Sequence, residues 1–198
     1  MSEIQTWRDI PGFFDFQDVY NQAVAEAKNG DILVEVGAFL GKSAAYMAEK
    51  IKESGKTLIF CVVDSWDEEE YARWWIDVRR DPPAPWPVEE LYGKPLKEAF
   101  DYCMAAVGAD VSVQVVRKPS VEAAKEFDNA LRFVFIDADH RWNGILSDLE
   151  AWWPKVQKGG IFAGHDYRVA AWPDVARAVD HTFGPMVERR GTSWVVRK

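Results

Sequence analysis

The stretch VEVGAFLGKS, residues 34–43, ends in Gly41-Lys42-Ser43, the tail of a phosphate-cradling P-loop. A full P-loop needs G-x-x-x-x-G-K-[ST], which requires a glycine where Val36 stands. Gly37 is one residue too close, so the ring of backbone N–H groups around a phosphate would be short. Glu35 adds a carboxylate that repels phosphate. A dinucleotide fingerprint, G-x-G-x-x-G, needs glycines where Phe39 and Lys42 stand. What the residues do form is E-x-G-x-x-x-G. It joins an apolar run at 31–36 to a helical pattern at 43–52, with Ala44, Met47, Ala48 and Ile51 on one face.

Outward from this turn, apolar runs alternate with helical patterns. Strands are expected at 57–64, 111–116, 131–137 and 161–164, with a helix at 142–156 between the last two. Strand, helix, strand at this spacing predicts βαβ units and a doubly wound α/β fold. A helix at 174–183 and two short runs, 186–190 and 193–197 around Gly191, predict an antiparallel hairpin added at the C-terminus. The fold class is therefore a Rossmann-like, mostly parallel seven-stranded sheet with a C-terminal antiparallel hairpin, in a single domain spanning 1–198. A helix at about 16–28 is expected to pack across the sheet or the ligand mouth. Residues 65–108 are too long for one crossover helix and contain DPPAPWP at 81–87. This insertion is expected to act as a substrate lid.

The chain has 198 residues, 48% of them hydrophobic, enough for one full core and against disorder. Its net charge of -8 argues against general nucleic-acid binding. The acidic run Asp67 to Glu70 reads as a solvated helix start. The two cysteines, Cys61 and Cys103, lack metal-site spacing and read as buried free thiols of a cytoplasmic protein. No signal peptide and no membrane-spanning run is evident. Ten tryptophans read mainly as packing residues.

The glycine turn followed by Asp64 at the end of the second strand resembles the class I S-adenosylmethionine-dependent methyltransferases. The resemblance is sharpened by FIDADHRWNGILSDLEAWWPKVQKGGIFAGHDY, residues 135–167. Its I-D-x-D-H, helix, G-G, strand and G-H-D-Y pattern is similar to the small-molecule O-methyltransferase branch, which includes catechol, caffeoyl-CoA and antibiotic-sugar O-methyltransferases. It covers about residues 31–167 and implies methyl transfer from S-adenosylmethionine to a hydroxyl of a small acceptor, with or without magnesium. It also implies a homodimer. The competing readings are a P-loop-like nucleotide hydrolase and a non-catalytic S-adenosylmethionine-binding module.

Carried onto this chain, the resemblance implies that Glu35, Gly37, Phe39, Gly41 and Ser43 form the cofactor loop. A carboxylate there suits the cofactor's cationic centres, and a helix N-terminus with the Ser43 hydroxyl suits its carboxylate. Asp64 is expected to take the ribose hydroxyls. Ser120 and Trp142 are expected beside the adenine, with Ser120 doubling as a helix N-cap. Asp137 is expected to hold the cofactor ammonium or, with Asp166, a magnesium ion that lowers the acceptor's pKa. Relatives often carry Asn after the second Asp. Tyr167 stands there, so Asp139 is the expected replacement oxygen. His165 and His140 are the candidate bases, and His181 is expected to be a surface or packing residue. Trp74, Trp75, Arg79, Trp86 and Tyr92 in the insertion, with Tyr167, Arg168 and Trp172, are expected to line the acceptor pocket.

Overall fold

The computed structural model describes residues 4–69, 91, 94–128 and 130–198. Helix α1 is Gln17–Glu26, strand β1 Ile32–Val36, α2 Lys42–Ser54 and β2 Ile59–Asp64. After them come α3 Leu96–Ala106, β3 Gln114–Arg117, α4 Ser120–Ala124 and β4 Leu131–Ile136. The chain continues through α5 Trp142–Trp152, β5 Val156–Gly164, α6 Pro173–Phe183, β6 Glu188–Arg190 and β7 Ser193–Arg197. The seven strands form one sheet in the order β3-β2-β1-β4-β5-β7-β6. The first five are parallel and the last two antiparallel. This is the expected doubly wound fold with its C-terminal hairpin.

Strand alternation divides the core. Leu33, Phe60, Val62, Phe133, Phe135, Ile161 and Ala163 face α1, α2 and α3. Val34, Val36, Cys61, Val63, Val134, Ile136 and Phe162 face α4, α5 and α6. Both faces of the parallel strands are thereby covered, which is why those strands read as unbroken apolar runs. Cys61 and Cys103 are buried free thiols, and burial pushes them up to about 11 and about 12, so neither is a nucleophile at neutral pH.

Several boundaries differ from the sequence expectation. The helix read as 142–156 stops at Trp152, because Pro154 turns the chain into a short 3₁₀ segment, Trp153–Lys155. Strand β5 begins at Val156 rather than 161. It takes Lys158-Gly159-Gly160 through an irregularity opposite Leu131/Phe133. The third strand starts at Gln114, after a 3₁₀ turn at Asp110–Ser112.

The insertion is only partly a candidate lid. Its described second half is core: Phe100, Cys103 and Met104 of α3, together with Trp66, are buried in the α1/α2-side cluster. Trp74, Trp75, Arg79, Trp86 and Tyr92 lie outside the described residues, and with them most of the lid expectation. Among the described residues, no helix is long and apolar enough to cross a membrane.

Helix α1 has no basic residue in its own last turn. The Lys56 ammonium instead donates to the carbonyls of Val24, Ala25 and Ala27 at 2.7, 2.8 and 2.8 Å. One charge thus satisfies three terminal acceptors and opposes the helix dipole. Glu26 fastens the same helix end to the sheet through Arg132 on β4 and Arg197 on β7. Lys56→Met is expected to lower unfolding free energy by about 2 kcal/mol in urea denaturation. An unchanged midpoint would mean the three contacts contribute nothing net.

Candidate active site

The chain runs from β1 outward to β2 and β3, then returns to β4 and β5 on the other side of β1. The strand order therefore reverses between β1 and β4, and ligand crevices of such sheets open beyond the carboxyl ends of the strands at that point. Gly37 lies there at φ +91°. A Cβ on it would stand 1.9 Å from the Asp137 carbonyl oxygen, so the ends of β1 and β4 approach as closely as only glycine permits. Gly41, at φ +89°, precedes α2 and faces Met104 and Phe100 of α3, 2.8 and 3.0 Å from a built Cβ.

The loop between these glycines is ordered by Asp64. Its Oδ2 accepts the backbone N–H groups of Ala38 at 2.8 Å and Phe39 at 3.1 Å, and its Oδ1 accepts that of Trp66 at 2.7 Å. The Trp66 indole N–H donates to the Phe39 carbonyl at 2.8 Å. This removes the P-loop reading. Two N–H groups that would face a phosphate are taken by a carboxylate. The lysine of the motif, Lys42, reaches back to the Arg8 carbonyl at 3.1 Å.

Two cofactor-loop expectations need correction. Glu35 is fully buried, and the Ser43 hydroxyl donates to its Oε1, so neither group is presented to a ligand carboxylate or ammonium. Burial pushes the Glu35 carboxyl up to about 8, opposed by the Ser43 hydrogen bond and reinforced by Asp137. The other oxygen, Oε2, lacks a hydrogen-bond partner among the described residues, as does the nearby Tyr20 hydroxyl from α1. Glu35 supports the loop from beneath, mainly as a neutral acid. What remains open to a ligand is the N-terminus of α2, which carries no side-chain cap, and Phe39, half-buried at φ +49°. An uncapped helix N-terminus fits a ligand carboxylate.

Ser120 and Trp142 each contact other side chains, and the expected N-cap is not made. Ser120 is the first residue of α4 and caps nothing. Its hydroxyl accepts the Trp152 indole N–H at 2.9 Å. Trp142 opens α5 with its ring against Arg177, 4.4 Å from the guanidinium carbon, and 5.6 Å from His181. His181 is an exposed packing partner, as expected.

At the ends of β4 and β5 the structure gathers Asp137, His140, His165 and Asp166. His140 Nε2 lies 2.7 Å from Asp166 Oδ2 and 3.7 Å from Asp137 Oδ1. His165 Nδ1 lies 3.6 Å from Asp137 Oδ1 and 3.5 Å from Asp166 Oδ2. The outer nitrogen of His165, Nε2, meets Asp15 Oδ1 at 2.9 Å, and Asp15 also accepts the Thr192 hydroxyl at 2.8 Å. Trp172 stacks on the His140 ring at 4.6 Å and 30°. Asp166 is held at φ +57°, a left-handed conformation that Asp tolerates better than most residues.

Burial alone would lower both histidines, but the facing carboxylates raise each to about 9. Burial likewise works to raise Asp137, yet His165 and His140 hold it well below the usual carboxylate range. The facing carboxylates thus favour the charged imidazoles, which weighs against a free histidine base. Asp139 is a further correction. It is given over to Arg141, accepting its backbone N–H at 2.9 Å and its guanidinium at 2.6 Å. Tyr167 is buried, its hydroxyl donates to Asp180, and Arg168 lies over its ring, so neither lines the acceptor side.

Sequence reasoning missed Asp15 and Tyr20. Nothing local marks either one: Asp15 meets His165 and Thr192, and Tyr20 lies near Glu35, all remote in sequence.

A doubly wound sheet with a glycine turn at its reversal point and acids at its strand ends is an architecture of cofactor-binding proteins. A family profile described as "Methyltransferase domain" matches residues 34–167, and the chain belongs to that family, whose members use S-adenosylmethionine. Solved structures share the fold. CalS11, a TDP-rhamnose 3'-O-methyltransferase of calicheamicin biosynthesis, aligns at a TM-score of 0.57 and 15% identity, over 91% of this chain and 76% of that one. Cofactor-bound Rv0187 from MTB aligns at 0.61 and 13%, over 95% and 83%. An rRNA methylase from Streptococcus thermophilus aligns at 0.60 and 10%, over 95% and 99%.

Glu35 yields a prediction with a definite sign. Its carboxyl titrates near 8 when folded against an ordinary value of 4.5. Between those pH values the native state keeps a proton that the unfolded chain has lost, so this group subtracts stability progressively as pH rises. Glu35→Gln keeps an acceptor for Ser43 and removes the titration. Denaturation curves are expected to show the variant gaining on the wild type from pH 5 to pH 8. A constant difference across that range would show that Glu35 is ionised in the fold.

Proposed function

We propose that the chain is an S-adenosylmethionine-dependent O-methyltransferase acting on a hydroxyl of a small molecule, assisted by a divalent cation. The observation that carries this reading is the contact of Gly37 with Asp137. It sets the open end of α2 and the Asp/His cluster against one crevice, so that a cofactor and an acceptor are brought together.

S-adenosylmethionine, when bound, supplies an electrophilic methyl group on a sulfonium. The N-terminus of α2 binds its carboxylate end, and Phe39 packs against it. Asp64, holding the loop by the N–H groups of Ala38 and Phe39, fixes the distance between that end and the cluster. Asp137 and Asp166 are hard oxygen donors suited to a divalent cation, which would supply Lewis acidity to the acceptor hydroxyl. His165, charged and held by Asp15, stabilises the oxyanion that develops as the hydroxyl gives its proton to water. The stacked Trp172 and His140 offer a flat wall to a planar or sugar-like acceptor. The net charge of -8 favours a small acceptor over a ribosomal one.

The reading is tested by titrating the chain with S-adenosylhomocysteine in a calorimeter and assaying a panel of hydroxylated acceptors with and without magnesium. Binding of S-adenosylhomocysteine, with turnover on the panel, is the expected result. Asp166→Asn keeps a residue that tolerates the left-handed backbone. It is expected to retain S-adenosylhomocysteine binding while turnover falls about 10- to 100-fold. Full activity in this variant would remove Asp166 from the chemistry. Binding without turnover on any acceptor would favour a cofactor-binding module instead.

A further inference from the structure

We infer that His140 is the third metal ligand of this site and that it biases the site toward first-row transition ions over magnesium. The inference rests on the cation-assisted reading above and concerns which ion the site selects. Among the described residues, Asp137, His140 and Asp166 are the one group of potential ligands whose donor atoms all lie within 4.8 Å of one another. That span is within the reach of one ion at the usual ligand distances of about 2.0–2.2 Å, after a small closure. The two oxygen candidates that might have completed an all-oxygen set are engaged elsewhere. Asp139 is bound by Arg141, and Tyr167 is buried with its hydroxyl on Asp180.

The donor on His140 is already aimed. Its Nε2 lies 2.7 Å from Asp166, against 3.5 Å for His165 Nδ1, and 3.7 Å from Asp137. Its plane is fixed by the stack on Trp172, and the side chain is 14% exposed. An ion would take the place of the proton that Nε2 shares with Asp166. His165 is different: its Nε2 is turned outward to Asp15. Its Nδ1 faces the same two carboxylates from 3.5–3.6 Å, which leaves it supporting them. Two carboxylates and one imidazole form a mixed oxygen and nitrogen set. Magnesium prefers oxygen donors and retains its water, whereas an imidazole suits iron, nickel and zinc and strengthens binding along the first transition row.

The test uses the full chain, freed of metal, titrated with cobalt(II) and followed by its visible absorption, with magnesium as competitor. Wild type is expected to bind cobalt at least about tenfold more tightly than magnesium. In His140→Gln, cobalt affinity is expected to fall about 10- to 100-fold while magnesium affinity changes little, narrowing the preference. Asp166→Asn is expected to lose affinity for both ions. Circular dichroism checks that each variant is folded. In the wild type itself, the cobalt form is expected to show an exchangeable imidazole N–H proton resonance shifted far outside the diamagnetic range. Absence of that resonance, or equal cobalt and magnesium affinities in wild type, would overturn His140 as ligand and leave the carboxylates as the metal site. Binding of S-adenosylhomocysteine with no binding of either ion would overturn both this inference and the metal assistance, while leaving the methyltransferase reading intact.

Discussion

The site depends first on one carboxylate doing the work of a turn. Asp64 leaves the end of β2 and accepts three backbone N–H groups from two separate loops, at Ala38, Phe39 and Trp66. Without it, three donors in a largely buried setting would lose their partner, at about 1–3 kcal/mol each. With it, the loops after β1 and β2 move as one body. Trp66 then closes the connection from the other side through its indole bond to Phe39. The orientation of α2, whose first turn begins directly after the loop, follows from this constraint.

A second constraint is electrostatic. Asp15, Asp137 and Asp166 converge on two imidazoles, and the five groups balance one another only if both histidines carry protons. Beneath this cluster, Glu35 does not join as a fourth anion, because its burial and the nearby Asp137 favour the neutral form. The contrast between a neutral acid below and a charged network above comes from solvent access and partners, not from residue type.

Much of this was legible in the sequence because it is local. The E-x-G-x-x-x-G turn, the strand-end acids Asp64, Asp137 and Asp166, and the alternation of apolar runs all sit within short windows, where periodicity and spacing carry information. The hairpin of 186–190 and 193–197 around Gly191 is equally plain. The misread parts depend on partners remote in sequence or on competition between neighbours. Asp139 reads as a free oxygen until Arg141, two residues on, is seen to bind it. Ser120 reads as an N-cap until Trp152, 32 residues away, claims its hydroxyl. Tyr167 sits in a motif that faces the site, yet Asp180 draws its hydroxyl to the opposite layer. Strand β5 looked short because Lys158-Gly159-Gly160 interrupts the apolar pattern. The ladder continues through it because Leu131 still pairs with Val156.

The bridge made by Asp15 has a consequence for how the protein comes into being on the ribosome. One carboxylate holds His165, 150 residues later, and Thr192, 177 residues later. Strands β1 and β2 and the glycine loop are made early, but Asp15 waits for β5 to bring its histidine and for the turn before β7 to bring the Thr192 hydroxyl. The network at the ends of β4 and β5 is thus completed only by the last tenth of the chain.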